Sequence, residues 1–289
     1  MPDHERVHPY SDLSRPPLAV APLRRALVVP GGRWTDLQVV AETGSTNEDL
    51  VAAARAGAPA GRVLVAEQQS AGRGRLARTW LAPARAGLTF SVLLRPVVPA
   101  ARLGWLPLLA GVALAEAVGR VAVVEAVLKW PNDLLVGVGD GTYAKCAGLL
   151  AEAVPAGGDA TAVVLGIGLN VGQRADELPP ASGGLPATSL AVAGAGATDR
   201  DPLLRAVLRS LAAWLDRWEA AGGDPSASGV GPAYRSACRT LGAQVRLELP
   251  DGRVLTGLAS DVDADGRLVL IGPNGAHHHL AAGDLTHLR

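Results

Sequence analysis

Three turn dipeptides, Asp251-Gly252, Asp265-Gly266 and Asn274-Gly275, divide the last stretch of the chain into short runs with alternating polarity. Asp-Gly and Asn-Gly pairs take the positive φ angles of tight hairpin turns at little cost, and the twist of those turns suits antiparallel strands. The runs between them (VRLELP, RVLTGLASDV, RLVLI, HHHLAAGD) therefore predict a small antiparallel barrel over residues 240–289. That leaves residues 34–239 for one larger domain, long enough to bury a sizeable core. There the patterns mix: strands are expected at Leu37–Ala41, Leu88–Leu94, Ala126–Trp130, Leu134–Val138, Tyr143–Val154 and Val163–Val171. Helices are expected from Ser45 to about Ala56, near Arg102–Val118, and from Pro202 to about Ala221. Residues 1–33 are rich in proline and aperiodic, and are expected to form a flexible extension.

Composition narrows the function classes. The formal net charge is zero, so no global field draws the chain to nucleic acid or to a membrane surface, and any anion must be bound locally. No apolar run is read as a membrane span, and the N-terminus lacks the apolar core of a signal peptide, so a cytoplasmic location is expected. The two cysteines, Cys146 and Cys238, form no CxxC pair and suit a reducing compartment. His277, His278 and His279 would alternate between the faces of a strand and cannot converge on one ion, so no protein-held metal is expected.

Two stretches carry candidate chemistry. An apolar strand ending at Val65 runs into a loop with Gly72, Arg73, Gly74 and Arg75. Glycine lets a backbone approach a ligand, and arginine offers a fixed fork of donors, so the loop is a plausible cradle for an anion. Arg-Gly loops also bind RNA or bind nothing. The second stretch holds the lysines. Of 27 basic residues all but Lys129 and Lys145 are arginine. A lysine retained against such a bias points to a site that needs a compact ammonium, the alternative being chance. Ser45, three residues before Glu48, reads as a capping box, and the same helix start has the donors to hold polar ligand atoms.

Taken together, TGSTN (43–47), QSAGRGR (69–75) with Trp80, KWPNDLL (129–135), KCAGLLAE (145–152), GIGLN (166–170) and TSL (188–190) resemble the biotin protein ligases, over roughly residues 37–289. The resemblance implies an α+β fold: a class II synthetase-like mixed sheet with flanking helices, then an SH3-like barrel. It implies biotin and ATP as substrates, Mg²⁺ as companion of ATP, and a biotin carboxyl carrier domain of an acyl-CoA carboxylase as partner. Carried over by position, Ser45, Thr46, Asn47, Gln69, Gly72 and Gly148 would line the biotin site. Arg73, Gly74 and Arg75 would cover the carboxylate and the phosphate. Lys145 would bridge those two anions, and Asp133 would orient or deprotonate the acceptor amine. Trp80, Lys129, Asn132 and Asn170 would face the nucleotide.

The family pattern leads one to expect glycine at position 77, where this chain has Ala77. A left-handed backbone there would cost alanine about 1 kcal/mol. A lipoate or octanoate ligase shares the chemistry but resembles an RRxSGGG pattern that is absent here. A biotin-sensing repressor would need a DNA-binding domain that residues 1–33 are too short and irregular to form, so no DNA partner is expected. A non-catalytic biotin-binding module is the remaining alternative, and Lys145 argues against it. A monomer or weak homodimer is expected.

Overall fold

The computed structural model describes residues 14–156, 161–181 and 184–288. Seven strands make the main sheet: β1 (Asp36–Val40), β2 (Arg62–Ala66), β3 (Gly87–Leu94), β4 (Ala126–Lys129), β5 (Asp133–Gly137), β6 (Tyr143–Pro155) and β7 (Thr161–Asn170). Their spatial order is β1-β2-β3-β7-β6-β5-β4. β1 and β2 pair in parallel, because a helix carries the chain back between them, and the remaining neighbours pair antiparallel.

Among the described residues five α-helices cover the sheet unequally: α1 (Val20–Leu27), α2 (Thr46–Arg55), α3 (Trp105–Ala122), α4 (Arg200–Ala220) and α5 (Val230–Ala237). α3 packs against α4, α5 and the sheet, and α1 against α4 and β1, so these four share one large core. α2 lies alone on the opposite face, over a small core of Leu50, Ala54, Leu64, Leu93, Val154 and Val164. The segment Ala100–Ala122 is long and apolar enough to pass as a membrane span by length and composition, contrary to the sequence reading. Its place is the core: Trp105, Leu106, Leu109 and Leu114 are fully buried.

The expected extension also needs correction. Residues 1–13 lie outside the described part, but α1 is an ordered helix that buries Leu23 and Leu27. Ahead of it, Arg15 pairs with Glu177 at 2.5 Å, and Arg200 donates to the Pro16 carbonyl at 2.6 Å.

At the C-terminal end a second sheet contains β8 (Gln244–Glu248), β9 (Val254–Val262), β10 (Leu268–Ile271), β11 (His277–Leu280) and β12 (Asp284–His287), in the order β11-β10-β9-β8-β12. Every pairing is antiparallel. Gly252, Gly266 and Gly275 all adopt positive φ, near 80°, as the turn dipeptides require.

Candidate active site

A cavity of about 290 Å³ opens on the α2 face of the main sheet. Its origin is a change of side-chain size along the strands. Residues at alternate positions share a face. On β3 these are Thr89, Ser91 and Leu93; on β7, Gly168, Gly166 and Val164; on β6, Gly148, Leu150, Glu152 and Val154. α2 rests on the valine and leucine end of these rows. Beyond its N-terminus the floor turns to glycine, and Gly148 and Gly168 sit directly opposite each other across β6 and β7. The Trp80 ring lies over that pair: a Cβ added at Gly168 would stand 2.4 Å from the indole, and one at Gly148 3.2 Å.

At the α2 end the polar groups interlock. Ser45 is the N-cap of α2 and accepts weakly from the Glu48 amide at 3.5 Å. Only half of the expected capping box forms, because the Glu48 carboxylate pairs with Arg73 instead. Gln69 Oε1 accepts from the Thr46 backbone N–H at 2.8 Å. The Thr46 hydroxyl meets Ser91 Oγ at 2.7 Å, and Ser91 donates to Asn47 Oδ1 at 2.6 Å. Ser45, Thr46, Asn47 and Gln69 are all buried. Gly72 is the sequence-predicted residue that does not line the cavity. It stands behind the wall, where a side chain would strike the Trp80 carbonyl and the Gln69 amide at 2.2 and 2.5 Å.

The opposite end is cationic, and a β-bulge makes it so. β5 and β6 pair Leu134 with Ala147 but Leu135 with Lys145, leaving Cys146 as the extra residue. The shift turns Lys145 onto the face of Gly148 and Asp133, where regular alternation would have put it on the other side. Lys145 Nζ lies 2.6 Å from Asp133 Oδ1, in an ion contact that lacks hydrogen-bond alignment, so this buried oxygen has no hydrogen bond. Lys145 is held from behind: its amide donates to the Pro186 carbonyl and its own carbonyl accepts from the Thr188 amide.

Lys129 pairs in register with Asp133 on β4 and β5 and so faces the same way. It is 5% exposed. Burial above all, then Lys145, draws its proton affinity below the ordinary lysine value, against the pull of Asp133. Burial lowers the Arg75 guanidinium likewise, opposed by Asp133 and Asp284. Arg75 donates to Asn132 Oδ1 at 3.3 Å, while Asn132 donates to the Leu149 carbonyl at 2.8 Å. Asn170 reaches the cavity, yet both ends of its amide are engaged, with the Thr188 carbonyl and with Gln173. It ties β7 to the 184–190 segment, with one N–H and one lone pair of the amide spent in these bonds.

The Gly-Arg loop spans the mouth. Its left-handed residue is Leu76 (φ 55°, ψ 42°). Arg78 pairs with Asp284 of β12, so the loop is tied to the C-terminal sheet, and Gly283, Asp284 and Leu285 complete the wall. The sequence reading missed this contribution and Ser91, which lie outside its motifs, and gave no role to Glu152, the last residue of KCAGLLAE.

The chain matches the biotin/lipoate A/B protein ligase family over residues 41–170 and the biotin protein ligase C-terminal domain over residues 240–287. It is 44% identical to a biotin–[acetyl-CoA-carboxylase] ligase of Mycobacterium tuberculosis, over 96% of this chain and 98% of that one. The chain belongs to the biotin protein ligase family. Another member, the bifunctional ligase/repressor BirA of Escherichia coli, is 32% identical over 73% of this chain and 61% of its own length. The biotin protein ligase of Aquifex aeolicus, solved with biotin and ATP, superposes with a TM-score of 0.71 at 28% identity, covering 89% of this chain and all of that one.

Proposed function

We propose that this member is a biotin protein ligase that joins biotin to ATP, releasing pyrophosphate, and passes biotin from biotinyl-5′-AMP to a lysine of a carboxyl carrier domain. The observation that carries the reading is the concentration of Lys129, Lys145 and Arg75 at one end of the cavity, with an interlocked polar cluster at the other. Biotin has the same polarity: a neutral ureido ring at one end, a carboxylate at the other. Its relatives act on biotin by name, and a 44% identical one acts on acetyl-CoA carboxylase.

In the first half-reaction a carboxylate oxygen bonds to the α-phosphorus as the bond to the β-phosphate oxygen breaks. Two anions must meet, and fixed cations in a site shielded from water lower that repulsion. Lys145 sits where it can bridge them, with Arg75 and Lys129 beside it, and their charges cost less once an anion has entered. Among the described residues no three His, Cys, Asp or Glu side chains converge, so Mg²⁺ would come with ATP, whose phosphates supply the oxygens it prefers. The Asp133 carboxylate, whose Oδ1 pairs with Lys145 at 2.6 Å, would be available to that ion or to an incoming amine once Lys145 turns to the substrate anions. In the second half-reaction the carrier lysine attacks the acyl carbon, AMP leaves, and the Asp133 carboxylate can take the amine proton. Arg73, exposed and paired with Glu48, is a loop residue free to exchange partners when an anion arrives. Residues 240–289 act as a C-terminal unit that walls the nucleotide end, and the activity is assigned to the cytoplasm, where ATP is available.

The test is biotin-dependent exchange of labelled pyrophosphate into ATP, with lipoate in parallel. Exchange is expected with biotin only, and Lys145→Ala should lower it by two orders of magnitude or more, as loss of a charge-stabilising group does. Exchange with lipoate alone would keep the fold and overturn the substrate.

A further inference from the structure

Glu152 does not line the cavity, yet it decides which way the hydrogen bonds at the α2 end run. It stands on β6 two residues beyond Leu150, on the same face, and its Oε1 lies 3.1 Å from Asn47 Nδ2. The Leu150 carbonyl lies 3.4 Å from the same nitrogen. Both partners are acceptors only, so the Asn47 amide can take one orientation: nitrogen toward Glu152, oxygen toward Ser91. The Ser91 hydroxyl must then give its proton to Asn47 Oδ1, 2.6 Å away. The single Thr46 hydroxyl proton then has two acceptors within reach, Ser91 Oγ at 2.7 Å and Gln69 Oε1 at 3.0 Å. Gln69 is fixed independently by the Thr46 backbone N–H, which can only donate. The carboxylate, with the Leu150 carbonyl beside it, therefore sets the orientation of Asn47 and through it the direction of the Ser91 hydroxyl. Asn47 Oδ1 occupies the space over Gly166, where a Cβ would stand 2.1 Å from it, so this orientation depends on glycine at that position.

We infer that Glu152 is a positioning residue for ligand selectivity: through Asn47 it presents acceptor oxygens at the cavity wall to a ligand ring that carries N–H donors. The inference rests on the assignment of this end of the cavity to the biotin ring. A ligand without ring N–H groups, such as a dithiolane, would leave those oxygens unpaired and bind poorly.

The test compares Glu152→Ala, Glu152→Gln and Glu152→Lys, alone and with Asn47→Asp, in pyrophosphate exchange and in calorimetric titration with biotin. Glu152→Ala should raise the biotin KM about tenfold, the effect of losing one well-made hydrogen bond to a charged group, while kcat and the ATP KM stay within about twofold. Glu152→Gln keeps an acceptor in place and should stay near wild type. Glu152→Lys offers only donors, turns the amide over and should be worst. Asn47→Asp, which can accept from both lysine and Ser91, should restore part of the loss in the double variant while harming the wild-type background. Equal KM values for biotin across the series, or a fall in kcat that matches the rise in KM, would overturn the inference. Absence of exchange in the wild type would instead overturn the proposed function, so the two failures are separable.

Discussion

Gly168 shows how much one missing side chain can do. A Cβ there would lie 2.4 Å from two atoms of the Trp80 ring, and a rigid indole packed on a strand has no flexible end to yield. Gly168→Ala is expected to displace Trp80 and to lower kcat/KM for biotin in the exchange assay by tenfold or more, since overpacking of this kind costs about 1–3 kcal/mol. Gly148→Ala, with a 3.2 Å approach, should be milder; equal effects would argue against Trp80 as the cause. At this scale the sequence was readable where a motif demanded an unusual residue. Lys145 stood out against arginine, and the Gly-Arg loop stood out by composition. What it did not reveal was how Lys145 comes to face the cavity, because a bulge at Cys146 is a property of register between strands and leaves no local mark. Ser91, and the role of Glu152 at the end of its motif, were hidden for a similar reason: each is one polar residue in an apolar strand, significant only through Asn47 on α2.

Among the elements, β3, β6, β7 and α2 were legible from periodicity and the Ser45 cap, and the hairpins of the second sheet from their turn dipeptides. α1 was not. Eight residues with Pro22 among them, and with Pro16, Pro17 and Pro30 close by, read as coil by composition and are too short to be stable alone, and the helix exists through what it packs against. Its approach is fixed by a buried pair: Arg200 meets Glu67 at 2.5 Å, with side chains 7% and 8% exposed, and Glu67 also accepts from the Leu18 amide. Glu67 lies two residues from Gln69, so the same contact steadies the start of the Gly-Arg loop. Removing one partner leaves a buried charge alone, at about 3–5 kcal/mol. Arg200→Ala should therefore lower the unfolding free energy in urea by that amount. A loss below about 1 kcal/mol would mean that the N-terminal segment is dispensable.

Across the whole molecule, the site depends on how the two sheets meet. His287 of β12 lies 3.2 Å from Thr240 Oγ1, which in turn accepts from the Trp130 amide. Burial first, then Lys129 and Arg239, hold the His287 imidazole below its ordinary value of 6.5. The unfolded chain thus binds a proton more readily than the folded one, so stability is full above about 6.5 and declines as the pH falls from there toward the lowered value. Thermal unfolding scans should show a midpoint that falls through this window, and His287→Gln should flatten the slope. An unchanged slope would remove His287 from the account.

The wall supplied by Gly283, Asp284 and Leu285 has a consequence for biosynthesis. β12 is the last strand of its sheet to leave the ribosome, while the cationic end and the glycine floor emerge much earlier. A nascent chain holding both of those still has an open side, and cannot shelter a reactive acyl phosphate from water. Activation therefore begins only after the chain that performs it has been made through β12.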